Sequence, residues 1–279
     1  MSTEEKSYWS EYYKNHSKPG SQSLFADFVK PFLQDKTSMI ELGCGNGRDA
    51  LFFAENTTIK YWAVDQCQNE VDFLNEYKGK MPNLTFLADD FTKLKIDEKL
   101  NYAYSRFTLH SVNKEGERRA MKWVSDHLKP NGLFFIEVRS TKDELYGQGT
   151  NIGEHEFITD HYRRFVVKED MIENGIEAGL KLIYSLQSKG LAPYKENDPE
   201  VIRLIFLKSI IPEVVVDKEW VTDEETGQRT ELEAERLGIY YSDLIPVLVK
   251  GMQEQQSLIT EMKIQIESLS SQVEELKKK

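Results

Sequence analysis

The stretch that decides the fold is SMIELGCGNGRDALFFAEN, residues 38–56. Its first five residues have the pattern of a buried strand, and residues 47–55 have that of a helix. Between them lies the turn Gly43-Cys44-Gly45-Asn46-Gly47. Glycine lets a backbone turn sharply and approach a ligand with no Cβ in the way. Because open α/β sheets bind ligands at the carboxyl ends of their strands, this unit predicts a ligand site.

Strand and helix signals alternate on the C-terminal side of this unit. The expected strands are Lys60–Asp65, Leu84–Ala88, Leu100–Phe107, Leu133–Val138, Leu180–Ser185 and Val201–Lys208. The expected helices cover residues 69–77, 115–128 and 168–178. Residues 129–132 (Lys-Pro-Asn-Gly) end the second of these helices, a polar stretch runs from Val138 to about Tyr162, and residues 190–199 form a loop. The rhythm predicts an α/β fold, a Rossmann-like, doubly wound, mostly parallel seven-stranded sheet.

The polar residues at the strand ends indicate which nucleotide binds. Asp65 ends the second strand and can accept hydrogen bonds from both ribose hydroxyls. The glycine spacing is G-x-G-x-G, whereas a dinucleotide fingerprint is G-x-G-x-x-G with a pyrophosphate over the helix. Glu41 precedes the turn, and an acid there repels phosphate but suits an ammonium group. S-adenosylmethionine carries an ammonium and a sulfonium but no phosphate, so this pattern favours it over a nicotinamide dinucleotide.

Five motifs in order carry a family resemblance. They are ELGCGNGRD (41–49), AVD (63–65), ADDF (88–91), YAYSRFTLH (102–110) and LKPNGLFFIEVRS (128–140). Over roughly its first 208 residues the chain resembles the class I S-adenosylmethionine-dependent methyltransferases, most closely the small-molecule branch of tellurite-resistance and thiopurine-type enzymes. The resemblance implies that Glu41, Gly43 and Gly45 contact the methionine part of the cofactor. It also implies that Asp65 binds the ribose, that Asp90 and Phe91 meet the adenine, and that Ser105 and Arg106 face the sulfonium and the acceptor. The predicted cofactor-binding set is Glu41, Gly43, Cys44, Gly45, Asn46, Arg48, Asp49, Asp65, Gln66, Asp89, Asp90, Phe91 and Ser105.

The acceptor side is predicted from polar residues after the fourth and fifth strands. Methyl transfer is an in-line displacement, so the protein has to align the acceptor and exclude water. A general base is needed only when the acceptor is protonated at neutral pH. The candidate catalytic residues are Arg106, His110, Arg139, Tyr162 and Arg163. Guanidinium forks at residues 139, 163 and 164 suggest a small-molecule or glycan-linked acceptor with a phosphate or carboxylate; alternatively, these arginines are solvated or paired with nearby acids.

Composition limits the remaining possibilities. The net charge of −11 argues against binding to nucleic acid or anionic membranes. Two cysteines, Cys44 and Cys67, make neither a disulfide framework nor a metal site, and they favour a reducing, cytoplasmic setting. The N-terminus lacks a signal-peptide pattern, and no apolar run approaches the ~20 residues that span a bilayer.

The N-terminal segment, residues 1–36, combines aromatic residues with an amphipathic stretch. Tyr8, Trp9, Tyr12 and Tyr13 lie close together, and a Pro19-Gly20 break separates them from residues 24–32. We expect two short helices. The aromatic residues either form a lid over the cofactor or pack in the core. The Rossmann-like domain then covers residues 37–208.

The C-terminal part is acidic, with a net charge of −7 from Ser209 onward. Apolar residues repeat alternately every four and three positions from Leu248 to Leu276, which predicts a coiled-coil helix over residues 244–279. The heptad composition leans towards two strands. Residues 211–215 (IPEVV) and 238–256 (GIYYSDLIPVLVKGMQEQQ) resemble the intramolecular chaperone domain of endosialidase-type phage tail proteins. That resemblance implies a trimer, which we favour, and makes residues 209–243 a linker or chaperone-domain remnant; the alternative is a single helix docked on its own domain.

Two functions follow from these patterns. The first is a methyltransferase that is oligomeric through its C-terminal helix. The second is a non-catalytic assembly module whose nucleotide-binding domain is degenerate. Binding of S-adenosylmethionine separates them.

Overall fold

The computed structural model describes residues 8–13, 18–195, 197–209, 215–222 and 229–239. The chain divides into two units, Met1–Ser209 and Ile210–Lys279. No helix in these described ranges is both long and apolar enough to cross a membrane.

The first unit alternates helices and strands as the sequence predicts. Its helices are α1 (residues 8–13), α2 (Leu24–Val29), α3 (Arg48–Asn56), α4 (Gln68–Tyr77), α5 (Lys114–His127) and α6 (Lys168–Glu177). Its strands are β1 (Ser38–Leu42), β2 (Lys60–Asp65), β3 (Leu84–Ala88), β4 (Leu100–Arg106), β5 (Leu128–Arg139), β6 (Thr150–Gly153), β7 (Glu156–Ile158), β8 (Tyr162–Arg164), β9 (Leu180–Ser188) and β10 (Val201–Lys208). Short 3₁₀ turns cover Lys30–Phe32 and Leu109–Ser111. The two helices expected at the N-terminus are present.

The seven-stranded sheet has the order β3-β2-β1-β4-β5-β10-β9. Strands β1 to β5 pair in parallel, and β10 lies antiparallel between β5 and β9. The prediction of a mostly parallel seven-stranded sheet is therefore confirmed. Because parallel neighbours end at the same edge, the residues after β1, β2, β4 and β5 meet there.

The core lies on both faces of the sheet, as a covered parallel sheet requires. Successive residues of β1 alternate between the faces, so all five are buried. Ile40 and Leu42 pack in one cluster with Met121 of α5 and Met171 of α6. On the other face, Met39 belongs to a cluster that also contains residues of α2, α3 and α4, namely Phe25, Phe53 and Leu74.

Two segments differ from the sequence prediction. Strand β5 begins at Leu128 instead of Leu133, because its pairing with β4 jumps from Leu100↔Leu128 to Tyr102↔Leu133 and leaves residues 129–132 as an irregularity. Asn131 there has a φ of 64°, so the break that the Pro-Asn-Gly run predicts is a bulge within the strand. The polar stretch before Tyr162 contains strands β6 and β7, which form a small antiparallel sheet with β8. These strands have three or four residues each, too few to produce a visible alternation.

The second unit contains strands β11 (Val215–Thr222) and β12 (Arg229–Ile239). They pair antiparallel, with a register shift between Val216 and Lys218. Much of the predicted linker or chaperone-domain remnant is thus a strand pair. The coiled coil predicted over residues 244–279 lies outside the described residues.

Candidate functional site

The turn after β1 is held against β2 by its backbone. The amides of Gly43 and Cys44 both donate to the Val64 carbonyl, at 2.8 and 2.9 Å. Gly43 has a φ of 75°, in the left-handed region that favours glycine. A Cβ on Gly43 would lie 2.3 Å from Cγ2 of Thr108, so the loop after β4 packs directly on the turn. The left-handed backbone and the close packing therefore both require glycine here.

Asp65, at the end of β2, is fixed by the turn itself. Its Oδ2 accepts a hydrogen bond from the Gly45 amide at 2.9 Å, and its Oδ1 accepts one from the Cys67 amide at 3.0 Å. Burial raises the pKa of Asp65, and these backbone donors oppose the rise. Each carboxylate oxygen can accept a further hydrogen bond, so Asp65 can still bind a ligand hydroxyl.

Two more polar side chains line the same end of the cavity. Glu41 is buried and accepts a hydrogen bond from the Tyr61 hydroxyl at 3.1 Å. Burial, reinforced by the charge of Asp49, raises the pKa of Glu41 well above its usual value. Both amide atoms of Gln66 are buried, and neither has a hydrogen-bond partner among the described residues. Buried amides are normally satisfied, so Gln66 fits a polar ligand that completes the site.

A single cavity of about 880 Å³ joins these groups. That volume is within the roughly 300–1,000 Å³ usual for small-molecule sites. The sequence-predicted residues that line it are Glu41, Gly43, Cys44, Gly45, Asn46, Arg48, Asp49, Asp65, Gln66, Phe91, Arg106, His110, Arg139 and Arg163. The residues predicted to bind cofactor and those predicted to meet the acceptor thus share one cavity.

Four predicted residues do not line this cavity. Ser105 is fully buried within β4, and Tyr162 lies on β8. Asp89 is exposed, and its Oδ1 accepts from the Asp90 amide at 2.7 Å. Asp90 in turn accepts from the amide and the hydroxyl of Thr92, which lower its pKa against the opposing effect of burial. The adenine contacts expected of Asp90 and Phe91 both stay predictions; of the two residues, Phe91 lines the cavity.

The aromatic residues of the N-terminal helix α1 line part of the cavity. The Tyr8 hydroxyl donates to Oδ2 of Asp160 at 2.8 Å, and the Tyr8 ring stacks on His161 with centroids 4.7 Å apart. The Tyr13 hydroxyl is 2.8 Å from the position that a Cβ on Gly45 would take. Burial, aided by the charge of Arg163, lowers the pKa of His161 to about 4, so its ring is neutral at pH 7. In the described residues, these aromatic side chains lie between the glycine turn and β8.

Asp49 and Arg48, at the start of α3, have partners inside the protein. The Asp49 carboxylate accepts hydrogen bonds from the Ser23 amide, the Ser23 hydroxyl and the Tyr104 hydroxyl, each at 2.7 Å. Nε of Arg48 lies 3.7 Å from the same carboxylate. Asp49 therefore connects the start of α2 to α3 beside the cavity, whatever it contributes to a cofactor.

The predicted acceptor residues are also paired. Nη1 of Arg139 is 2.7 Å from Oδ2 of Asp143, and Nη1 of Arg163 is 3.0 Å from Oδ1 of Asp160. Nδ1 of His110 accepts from the Arg139 amide at 3.2 Å, which places the proton of a neutral ring on Nε2. Burial, reinforced by the surrounding cations, keeps the pKa of His110 well below its usual value.

Arg164 does not reach the cavity. It is 7% exposed, and it donates to the carbonyls of Val112 and Leu109 at 3.0 and 3.1 Å and to the Glu117 carboxylate. The guanidinium fork suggested for this position is therefore engaged within the protein. Its partners anchor β8 to the 3₁₀ turn that carries His110.

Several cavity residues were missed by the sequence reasoning. Phe107 and Thr108 lie inside the motif YAYSRFTLH but were not singled out. Phe107 has a φ of 57°, which is unusual for a bulky residue, and such strain has no local sequence signal. Tyr194, in the loop between β9 and β10, also lines the cavity, and only the folded sheet brings that loop to the site.

The fold is the Rossmann-like α/β fold of solved methyltransferases. A glycine turn and buried carboxylates lie at the carboxyl edge of its sheet. Residues 39–132 match the family model described as "Methyltransferase domain". Residues 39–132, which include the glycine turn and Asp65, thus match a methyltransferase domain, and S-adenosylmethionine is the cofactor that these matches indicate.

Three comparisons illustrate the range of similar proteins. A methyltransferase from Clostridium acetobutylicum, described as S-adenosylmethionine-dependent, has a TM-score of 0.54 and 17% identity, covering 67% of this chain and 91% of its own. The [4+2]-cyclase SpnF has a TM-score of 0.54 and 16% identity, covering 66% and 80%. The human protein "Arginine-hydroxylase NDUFAF5, mitochondrial" is 30% identical over 125 residues, which are 44% of this chain. The match spans only 34% of that relative's length.

Proposed function

We propose that this chain transfers a methyl group from S-adenosylmethionine to a small-molecule or glycan-linked acceptor. The observation that carries the proposal is the continuity of one cavity. Its cofactor end holds Glu41 and Asp65, and its other end holds Arg106, His110 and Arg139. When bound, the cofactor supplies a methyl group already activated by a positively charged sulfur.

The residues of the chain bind and orient the cofactor and the acceptor, and they exclude water. Glu41 suits the cofactor ammonium, and Asp65 with Gln66 suits the ribose and its surroundings. Helix α1 shields the cavity from water, which strengthens electrostatic interactions inside it. His110 is neutral with its proton on Nε2, so it can donate a hydrogen bond to an acceptor oxygen. It does not act as a base through Nδ1, which already accepts from the Arg139 amide.

The experiment that tests the proposal is calorimetric titration of the full chain with S-adenosylmethionine and S-adenosylhomocysteine. We expect both to bind, and we expect Asp65→Asn to weaken both. Hydrogen bonds to a charged group contribute about 1.5–3 kcal/mol, so the loss is roughly 10- to 100-fold in Kd. Asp72→Asn, an exposed change on the neighbouring helix α4, should leave binding unchanged.

If the wild-type chain binds neither S-adenosylmethionine nor S-adenosylhomocysteine, the enzymatic proposal is refuted and the assembly module is favoured. Binding without methyl transfer to any acceptor in a labelled-cofactor screen would point to other chemistry. Such chemistry has precedent, since one similar fold is named a cyclase and one relative is named a hydroxylase. The resemblance to tellurite-resistance and thiopurine-type enzymes selects the first acceptors for that screen. The expected cytoplasmic location stays a prediction.

We further propose that residues 244–279 assemble the chain into a trimer. The support is the heptad repeat and the resemblance to the phage chaperone domain. Native mass spectrometry of the full chain should give three times the chain mass of 32.4 kDa. Replacing Ile259 and Ile266 with Asp should give monomers, because charges in a coiled-coil seam prevent its burial. A dimer would instead agree with the two-stranded coiled coil that the heptad composition favours. A monomeric wild type would refute the proposed assembly.

A further inference from the structure

Three charged side chains form a buried group under the acceptor end of the cavity. Glu137 of β5 is fully buried; its Oε1 is 2.9 Å from Nε of Arg106, and its Oε2 accepts from Nε of Arg203 at 2.7 Å. Burial raises the pKa of Glu137, while the charges of Arg106 and Arg203 oppose that rise. One carboxylate is thus shared by two guanidinium groups.

Arg203 has the stronger hold on the shared carboxylate. Its Nη2 also donates to the Leu191 carbonyl at 2.8 Å, and its Cζ lies 5.2 and 5.1 Å from the ring centroids of Phe25 and Phe28. Arg203 is 6% exposed and does not line the cavity. The uncompensated positive charge therefore belongs to Arg106, the member of the group that faces the cavity.

The other cavity arginines in the described residues each have a carboxylate that no second arginine shares. Arg48 is near Asp49, Arg139 pairs with Asp143, and Arg163 pairs with Asp160. Arg106 thus differs from Arg139 and Arg163, for which the sequence suggested binding of an anionic acceptor.

Arg106 also has hydrogen-bond donors to spare. Its Nε is buried, and despite its proximity to Glu137 it has no hydrogen bond of acceptable geometry. Its Cζ lies 4.3 Å from the Phe107 ring centroid, and the left-handed backbone of Phe107 sets that ring in place. A guanidinium that lies over a ring, and whose N–H groups donate no hydrogen bond within the described part of the chain, is suited to bind an oxyanion.

We propose that Arg106 binds a carboxylate or phosphate group of the methyl acceptor. The inference rests on the proposed function, because it names the chemical class of the acceptor that binds in the same cavity. That acceptor carries a carboxylate or phosphate group. Glu137 and Arg203 are positioning residues: they hold Arg106 in place and leave one positive charge for the ligand.

The test measures oxyanion binding to the full chain, with inorganic phosphate and acetate as probes at constant ionic strength. Titrations are run with and without saturating S-adenosylhomocysteine. We expect both probes to bind wild type, and Arg106→Met to weaken them roughly 10- to 100-fold. Arg106→Lys, which keeps the charge but not the fork, should fall between. Arg119→Met, on the exposed face of α5, should bind as wild type does.

The Arg106→Met variant is expected to fold, because Glu137 retains Arg203 as a partner of its own. Equal probe binding by wild type and Arg106→Met, or none by wild type, would overturn the proposal. So would weaker S-adenosylhomocysteine binding in this variant with unchanged 5′-methylthioadenosine binding, because Arg106 would then serve the cofactor carboxylate. If the proposed function fails because the chain does not bind the cofactor, wild type does not bind S-adenosylhomocysteine, and the titrations without it still test Arg106. If it fails because no methyl group is transferred, the probe titrations are unaffected.

Discussion

Gly43→Ala is expected to destabilise the first unit by roughly 2–5 kcal/mol and to abolish cofactor binding. The left-handed backbone of residue 43 costs a non-glycine residue about 1–2 kcal/mol. The new Cβ would also lie 2.3 Å from Cγ2 of Thr108, and overpacking of this kind costs about 1–3 kcal/mol. Thr108 is 7% exposed, and its hydroxyl donates to the Gly43 and Arg106 carbonyls, so it has little room to move. Displacement of the turn would also break the hydrogen bond from Gly45 to Asp65.

Denaturant unfolding of two further variants separates the strain from the clash. Gly79 has a φ of 57° with nothing within 4 Å of an added Cβ, so Gly79→Ala should lose only about 1–2 kcal/mol. Thr108→Ser removes the Cγ2 atom, and in the Gly43→Ala background it should recover part of the loss. Equal costs at residues 43 and 79 would show that packing against Thr108 is unimportant.

Local patterns explain why the sequence identifies the residues around the glycine turn that line the cavity. The strand, the glycine turn and the helix are consecutive, and Asp65 ends the next strand, so adjacency in the sheet brings them together. The sheet itself follows from the alternation of apolar strands with helices. Glycine spacing also separates the methionine-type cofactor from a dinucleotide before any coordinates are known.

The acceptor end depends on pairs that are distant along the chain. Glu137 and Arg203 are 66 residues apart, and Glu117 and Arg164 are 47 apart. A sequence shows each arginine but not its carboxylate, so it gives no way to tell engaged guanidiniums from available ones. Residues 163 and 164 look equivalent in the sequence, yet one lines the cavity and the other lies under the 3₁₀ turn. The bulge at residues 129–132 and the small sheet of β6–β8 likewise depend on partners that local patterns do not reveal.

The second large effect is expected at the buried pair beneath the acceptor end. Glu117 of α5 is fully buried; its carboxylate accepts from Nη2 of Arg164 and, at 2.6 Å, from Nδ2 of Asn174. Glu117→Ala leaves the Arg164 charge buried with no carboxylate, and the loss of one partner of such a pair costs about 3–5 kcal/mol. We therefore expect unfolding at a correspondingly lower denaturant concentration. Because Arg164 holds β8 against the turn of His110, acceptor turnover should fall more than cofactor affinity.

Two comparisons make this prediction specific. Glu115→Ala, on the same helix, removes an exposed pair with Arg119 and should cost at most about 0.5 kcal/mol. Glu117→Leu combined with Arg164→Met removes both charges, and replacing a whole buried pair with apolar groups is often neutral or stabilising. The double variant should therefore regain most of the stability lost by Glu117→Ala. If the double variant is as unstable as the single one, the loss arises from packing around α5, not from an uncompensated charge.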